Sequence, residues 1–292
     1  MDFIISILEQ GLIYGILGLG VYITYKILDF PDLTTDGSFP LGAAISAAMI
    51  SRGMNPYLAL LVSCAAGAAA GCCTGLIHVK CKVRDLLSGI IMMTALWTIN
   101  LRIAGTSNVP IFSKDSIFHN DFLDMLPGAI KPYRTLLIVI VLVVVTKILL
   151  DLYMNTKSGF LLRAVGDNST LVTSLAKDQG NVKIMGLALS NGLIALSGSI
   201  FCQEERVFEV SMGTGAIVIG LASVIIGTSI FKNLSLLKAT TAVIIGSVLY
   251  KACVAVAIRN FEPQDMKLIT AVLFLLILVI GSERKRKVKK NA

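Results

Sequence analysis

The 292-residue chain is poor in charged residues, because Asp, Glu, Lys and Arg make up only 15% of it, against roughly 25% in soluble domains. It has two histidines, His78 and His119, and no G-x-x-x-x-G-K-[ST] loop that could hold ATP phosphates. Two histidines give little material for His-based catalysis or a zinc site. The sequence therefore predicts no catalytic residue, no metal site and no cofactor, and any ATP would have to be bound by another chain.

Apolar residues are abundant instead. Hydrophobic residues make up 55% of the chain and the mean hydropathy is +0.81, which is more apolar surface than a soluble core can absorb. A helix that crosses a bilayer needs about 20 predominantly apolar residues. Nine apolar runs meet or approach this length, at 8–28, 37–50, 56–79, 86–105, 135–152, 184–202, 212–231, 236–258 and 268–281. The sequence thus predicts an all-α membrane protein, a polytopic bundle of about nine transmembrane helices forming one domain over residues 1–292.

The formal net charge of +8 lies mostly in short segments between or after the apolar runs. The densest segment is the tail 282–292, which contains Arg284, Lys285, Arg286, Lys287, Lys289 and Lys290. This is the positive-inside pattern of membrane proteins, and it argues against nucleic acid as a partner, since polybasic ends beside a membrane meet anionic lipid head groups. With the tail in the cytoplasm, counting spans backwards places 80–84, 151–183 and 232–238 inside, and 106–134, 204–209 and the N-terminus outside.

The segment 29–38 is too polar for hydrocarbon, and the apolar run after it is short of a full span. Irregular backbone at membrane depth is tolerated only where protein or a water-filled cavity surrounds it. We therefore expect a broken second helix that begins partway into the membrane, with Pro40 in its first turn. The candidate substrate-pathway residues are Asp32, Thr34, Thr35, Asp36, Gly37 and Ser38. A packing kink without a pathway role is the alternative.

The segment 155–183, on the predicted cytoplasmic side, contains a stretch that could form a short surface helix. Asp167 and Asn168 can cap such a helix, Leu171 and Leu175 share a face at i, i+4 spacing, and Gly180 can close it. Helices shorter than about 12–15 residues are marginal in water, so this one needs a surface to dock on. An ordinary surface loop explains the same composition.

Glycines recur at four-residue spacing inside the third run, at Gly67, Gly71 and Gly75. Small residues at this spacing let helix backbones approach closely. The seam that they form is either packing within one subunit or a contact between two subunits, and both interpretations stay open at the level of sequence.

Two stretches resemble a known family. The first is Asp32-Leu-Thr-Thr-Asp-Gly-Ser-Phe-Pro40 within 12–43, and the second is Leu162-Arg-Ala-Val-Gly-Asp-Asn168 together with 183–198. They are similar to the permease subunits of bacterial ABC importers in the branched-chain amino acid and ribose permease group. Within that group the chain most resembles the branch associated with tryptophan and tyrosine uptake, and the similarity runs from about residue 8 to residue 281.

This resemblance implies the transmembrane permease subunit of an ATP-binding cassette importer in the bacterial plasma (inner) membrane. The implied cargo is a small amino acid-like solute, with aromatic amino acids favoured and branched-chain ones second. The implied partners are a cytoplasmic ABC ATPase that binds the ATP, an extracytoplasmic substrate-binding lipoprotein, a second permease copy in a homodimer, and membrane lipid. A coupling helix that docks on the ATPase would occupy 163–181, and its candidate residues are Arg163, Gly166, Asp167, Asn168, Leu171, Leu175 and Asp178.

Two other classes of function stay open at this point. An ion-coupled secondary transporter of a small neutral solute would usually carry intramembrane ionisable residues and paired broken helices, whereas the segment near Asp36 has no obvious mate in the second half of the sequence. An intramembrane enzyme would need convergent Ser, His, Asp or metal ligands at depth, and the sequence lacks them. Co-purification of an ATPase with the solubilised protein separates the importer from both.

Overall fold

The computed structural model describes residues 2–119, 133–167, 178–231 and 237–258, together with positions 268, 270–272, 274, 275, 277 and 279. Most of these residues are helical. The helices are α1 (Asp2–Val21), α2 (Thr35–Ser51), α3 (Pro56–Val79), α4 (Asp85–Ala104), α5 (Arg134–Met154), α6 (Lys157–Asp167), α7 (Gln179–Glu205), α8 (Ala216–Ile230) and α9 (Ala239–Ile258). A π-helical turn, Tyr22–Ile27, extends α1, and a 3-10 turn, Val210–Gly213, precedes α8.

Two short strands pair outside the helices. Strand β1 (Asn108–Pro110) lies antiparallel to β2 (Val207–Glu209), with Val109 opposite Phe208. Because β1 follows α4 and β2 follows α7, the pairing fixes the ends of these two helices at the same end of the molecule.

The helix ends follow from local chemistry. Asn55 accepts a hydrogen bond from the Tyr57 amide at 2.8 Å and Pro56 occupies the first helical position, so α3 begins there. Asp178 caps α7 in the same way through the Gly180 amide, also at 2.8 Å. Gly105, with a φ of 82°, adopts the left-handed conformation that ends α4.

Seven helices among the described residues are long and apolar enough to cross a membrane. They are Phe3–Ile27, Pro56–Val79, Asp85–Ala104, Arg134–Met154, Gln179–Glu205, Val210–Ile230 and Ala239–Ala257. They agree with seven of the nine predicted runs. The second run forms α2, which has 17 residues, most of them buried, and the ninth is described only at scattered helical positions. The total of nine spans and the break in the second span therefore stay predictions.

Helix α7 lies at the centre of the bundle, where it packs against α1, α2 and α3, while α1 also packs against α5, α8 and α9. The α3–α7 seam is formed by the predicted glycines. A Cβ atom added at Gly71 would overlap the carbonyl oxygen of Leu187, and one added at Gly75 would lie 2.9 Å from Ile184 Cα. Since both helices belong to one chain, this glycine stripe is explained by packing within the subunit.

The two ends of the bundle differ in charge. At the end that we call the basic end, Lys183 lies 3.5 Å from His78, and Lys238 forms an ion pair with Asp151 at 3.3 Å. At the opposite end, Gln10 donates a hydrogen bond to Glu205 at 2.8 Å. The described residues of the segments predicted to be inside thus lie at one end, and those of the segments predicted to be outside lie at the other.

Candidate functional site

The segment between α1 and α2 is held by its own backbone. The Phe30 amide donates to the Thr24 carbonyl at 2.9 Å, which closes the π-helical turn, and Asp29 has a φ of 51°. The Thr34 amide then donates to Asp32 Oδ1 at 2.9 Å, and Thr35 Oγ1 donates to the Asp32 carbonyl at 2.9 Å. A short polar side chain that turns the backbone in this way is a usual means of entering a helix, so Asp32 sets the start of α2.

Asn191, in the middle of α7, joins this segment to the core. Its amide nitrogen donates to Asp32 Oδ2 at 2.7 Å and to the Leu187 carbonyl at 3.0 Å, and its oxygen accepts from Ser38 Oγ at 2.7 Å. Asp32 is only 2% exposed, and Ser38 and Asn191 are fully buried. A carboxylate in an apolar bundle needs such donors, because an unsatisfied buried charge is very costly.

Thr34 adds a contact with a third helix. Its hydroxyl lies 2.9 Å from the hydroxyl of Thr74 on α3, and both side chains are fully buried. Segment 29–38 is therefore fixed by polar side chains of α3 and α7 at once.

Asp36 connects α2 to α8. Its two carboxylate oxygens accept from the Gly215 amide at 3.0 Å and the Ile217 amide at 2.8 Å, so Asp36 caps the first turn of α8. A carboxylate at a helix N-terminus is favoured by the orphan amides and by the helix dipole. The N-termini of two short helices, α2 and α8, thus meet at one half-buried acid. The segment near Asp36 is therefore in contact with the start of α8, in the second half of the chain.

Gly37 lies against α4. A Cβ atom here would be 2.9 Å from Leu96 Cβ, and the Gly37 carbonyl accepts from Asn100 Nδ2 at 3.1 Å. Asn100 is fully buried, and its Oδ1 atom has no hydrogen-bond partner in the described part of the chain. A free acceptor at depth therefore lies beside the segment.

The structure places each of the six predicted pathway residues in a polar contact of this segment, with Asp36 bonded to α8 and Gly37 to Asn100. Asp32, Thr34, Thr35, Gly37 and Ser38 are buried and Asp36 is half-buried. Their pathway role stays a prediction. Sequence reasoning missed Asn191, Asn100 and Thr74. An asparagine inside an apolar run was the available signal, because a polar side chain there must find a partner.

The predicted coupling segment is partly described. Helix α6 ends at Asp167, where the sequence predicted a helix to begin, so its position is an unpredicted feature. Leu162 and Val165 are buried, whereas Arg163 is exposed and Phe160 is 59% exposed. Asp178 is the N-cap of α7. The predicted residues Asn168, Leu171 and Leu175 lie outside the described residues.

Helix α6 contacts the end of α1 through Gly166. A Cβ atom at this glycine would overlap the carbonyl oxygen of Ile27 and lie 3.4 Å from Leu28 Cα. Ile27 is the last residue of the π-helical turn, two residues before Asp29. Helix α6 is therefore in direct contact with the backbone immediately before the polar segment 29–38.

Asp151, at the C-terminal end of α5, accepts several hydrogen bonds beside α6. It accepts from Lys147 at 3.2 Å, Lys238 at 3.3 Å and Thr240 at 2.8 Å. A cavity of about 190 Å³ next to it is lined by Tyr22 and Arg163, among others. Asp151 therefore ties α5 to the start of α9 where α6 docks.

Ionisable side chains also meet at the opposite end. Lys251 lies 3.3 Å from Gln10 Oε1 and 4.2 Å from the centre of the Tyr14 ring. The sequence placed Glu204 and Glu205 in an outer loop, but the structure extends α7 through Glu205. Glu204 and Glu205 therefore belong to the end of α7. Lys251 is held by the Gln10 amide oxygen and by the face of the Tyr14 ring.

Comparison with known proteins gives a consistent result. Residues 3–280 match the family described as branched-chain amino acid transport system, permease component. The chain is 44% identical over 293 residues to the tyrosine transport system permease protein of Clostridioides difficile, covering 100% of this chain and 96% of that protein.

More distant relatives agree with this match. The chain is 23% identical to the ribose import permease protein RbsC of Escherichia coli, over 76% of this chain and 68% of that protein. It is 25% identical to a probable branched-chain amino acid transport permease protein, LivH, of Methanocaldococcus jannaschii, over 68% of this chain and 67% of that protein. No solved structure matches the chain.

Proposed function

Because this chain belongs to the family of permease components of branched-chain amino acid transport systems, we propose that it is the membrane-spanning subunit of an ATP-driven importer of aromatic amino acids. The chain is a multi-pass membrane transporter and not an enzyme. The observation that carries the proposal is the 44% identity, over the whole chain, to a tyrosine transport system permease. Tyrosine is therefore the first candidate cargo, and branched-chain amino acids are the second.

The polar network suits a cargo that is neutral overall. The side chains that bond to segment 29–38 from other helices are Thr74, Asn100 and Asn191, all of them uncharged. An anionic or phosphorylated solute would call for basic side chains at this depth. A zwitterion such as an amino acid fits better.

Segment 29–38 is proposed to line the pathway, with Asp32, Thr34, Thr35, Asp36, Gly37 and Ser38 as its polar residues. Support comes from the irregular backbone between α1 and α2, which lipid would not accept. It also comes from the neighbouring Asn100 Oδ1 atom, which has no hydrogen-bond partner among the described residues. Since most of these side chains are buried, the cargo passes only when the network opens during the transport cycle.

The ATPase is proposed to dock on segment 155–183, through Arg163, Gly166, Asp167, Asn168, Leu171, Leu175 and Asp178. Helix α6 presents an exposed aromatic ring at Phe160 and an exposed guanidinium at Arg163, and such residues are enriched at protein interfaces. The ATP would be bound wholly by that other subunit.

The remaining partners and the orientation are also proposals. The basic end faces the cytoplasm of a bacterium, by the positive-inside rule, and the C-terminus is cytoplasmic. A substrate-binding lipoprotein delivers the cargo at the opposite end, and a second copy of the chain completes the pathway.

Reconstitution tests the proposal. The permease, its ATPase and its binding protein would be placed in liposomes, and uptake of labelled tyrosine, tryptophan, leucine and ribose compared with and without ATP. We expect ATP-dependent uptake of tyrosine or tryptophan, and none when the binding protein is omitted. Uptake of ribose without any amino acid would overturn the assignment, and uptake driven by an ion gradient alone would point to a secondary transporter.

A further inference from the structure

A cavity of about 500 Å³ opens at the basic end of the molecule, between the α3–α4 connection and the start of α7. Its charged lining residues are Lys82, Arg84, Asp85 and Lys183, and His78 lies among them. We call it the basic cavity. Three cationic side chains face one acid, so the cavity carries a net positive charge.

The acid in the lining is already engaged. Asp85 accepts a hydrogen bond from the Leu86 amide at 3.1 Å, in the first turn of α4. Asp85 therefore stabilises the first turn of α4, and its negative charge is partly offset by the helix dipole. The cations in the cavity have no ion pair among the described salt bridges, which involve Lys147, Lys238 and Asp151 only.

His78 holds Lys183 in the cavity. The ring atom Nδ1 lies 2.9 Å from the Val83 carbonyl, and since a carbonyl only accepts, Nδ1 carries the proton. The other nitrogen, Nε2, lies 3.5 Å from Lys183 Nζ. The ring itself packs edge-on against Phe30, with centroids 5.1 Å apart. The ammonium group therefore lies beside a half-buried ring that is itself held by Val83 and Phe30.

An exposed apolar surface continues from the cavity along α4. Immediately after Asp85 come Leu86, 46% exposed, and Leu87, 49% exposed, and one turn later Ile90 and Ile91 are 37% and 49% exposed. Helix α4 is long and apolar enough to cross a membrane, and an aliphatic face of this kind suits contact with acyl chains. The cavity therefore lies where a polar head group and a hydrocarbon surface adjoin.

We propose that the basic cavity binds the phosphate of an anionic phospholipid from the leaflet at the basic end, with its acyl chains along the exposed face of α4. Lysine and arginine form charge-assisted hydrogen bonds to phosphate oxygens. Each basic residue near an anionic membrane surface strengthens attraction to it. A soluble anion would use the cations but not the aliphatic face, whereas a phospholipid uses both.

The test compares lipid binding by the purified full-length chain with phosphatidylglycerol and with phosphatidylcholine of the same acyl chains, by native mass spectrometry. The wild type should prefer phosphatidylglycerol by at least about tenfold in affinity. The double variant Arg84→Gln with Lys183→Gln should lose this preference. The matched control, Lys26→Gln with Lys80→Gln, removes two exposed lysines of the same end outside the cavity and should keep it within about twofold.

Two further measurements distinguish a phospholipid from a soluble anion and from a folding defect. Inorganic phosphate added at millimolar concentration should leave the lipid bound, because it lacks the contacts to α4. Lys183→Arg keeps the charge and should keep the binding, which guards against a folding artefact. Equal affinity of the wild type for the two lipids, or equal loss in cavity and control variants, overturns the proposal. Displacement of the lipid by phosphate also overturns it. The same holds if the cavity variant binds lipid as the wild type does but no longer co-purifies with the ATPase.

Discussion

Asn191 is the residue on which the polar network depends, because it bonds at once to Asp32, Ser38 and Leu187. Asn191→Ala removes the amide that donates to Asp32 Oδ2, and an unsatisfied buried polar group costs about 1–3 kcal/mol, more if charged. We expect a clear drop in the thermal midpoint of the purified protein and loss of uptake.

A matched control is available in α4. Asn100→Ala removes the same atoms, but Asn100 makes a single described hydrogen bond, to the Gly37 carbonyl. Its thermal midpoint should fall less than that of Asn191→Ala. Equal destabilisation by the two variants would contradict the role given to Asn191.

Asp36 is predicted to act through both of its oxygens. Asp36→Ala removes both bonds to α8, and loss of an N-cap costs about 0.5–2 kcal/mol. Asp36→Asn keeps one acceptor oxygen. We therefore expect uptake to fall by more than about tenfold in Asp36→Ala and less in Asp36→Asn, with assembly retained in both, as measured by transport assay and size-exclusion chromatography. Unchanged uptake in Asp36→Ala would contradict the pathway role.

Gly37 cannot serve as a similar probe of the pathway. Any side chain there meets Leu96 Cβ at 2.9 Å, so Gly37→Leu would separate α2 from α4. Lost uptake in that variant would report lost packing.

Helix α6 is the element most suited to carry motion from an ATPase to the proposed pathway, through Gly166 and the Ile27 carbonyl. Gly166→Ala places a methyl group on that carbonyl, so α6 must shift although alanine favours the helix by about 1 kcal/mol. We expect the ATPase still to co-purify, while the amount of tyrosine transported per ATP hydrolysed falls several-fold.

The control for this prediction lies on the same helix. Lys157→Ala changes an exposed side chain in the first turn and should leave the ratio of transport to hydrolysis unchanged. If Gly166→Ala also keeps the wild-type ratio, the contact between α6 and Ile27 has no part in coupling.

Hydropathy located the long helices well and the polar elements poorly. The predicted run 56–79 coincides with α3, because Asn55-Pro56 marks its start. Helix α7 is longer at both ends than the run 184–202, since Lys183 and Glu205 lower the local hydropathy although both are helical. The short helix α6 was missed because its register is set by burial of Leu162 and Val165 against the bundle.

The partners of the candidate site could not be predicted from local sequence either. Segment 29–38 was predicted from its polarity, which is local information. Its partners Asn191 and Gly215 lie more than 150 positions away along the chain, and only the tertiary fold brings them together.

At the scale of the whole molecule, the basic end is predicted to face the cytoplasm. In a variant without its six native cysteines, three of which are exposed, Thr106→Cys should react with a membrane-impermeant maleimide added to intact cells. Lys157→Cys should react only after permeabilisation, because it lies at the basic end. The reverse pattern would invert the topology.

The buried network of Asp32, Ser38 and Asn191 has a consequence for the resting membrane. Four side-chain hydrogen bonds tie segment 29–38 to α3, α4 and α7, each with a net value on the order of 1 kcal/mol. If opening breaks all four bonds, roughly one molecule in a thousand would be in the open form at equilibrium. With the proposed pathway closed in this way, an idle permease would leak few ions or metabolites down their gradients. The bonds that fix the fold would then also limit leakage between transport cycles.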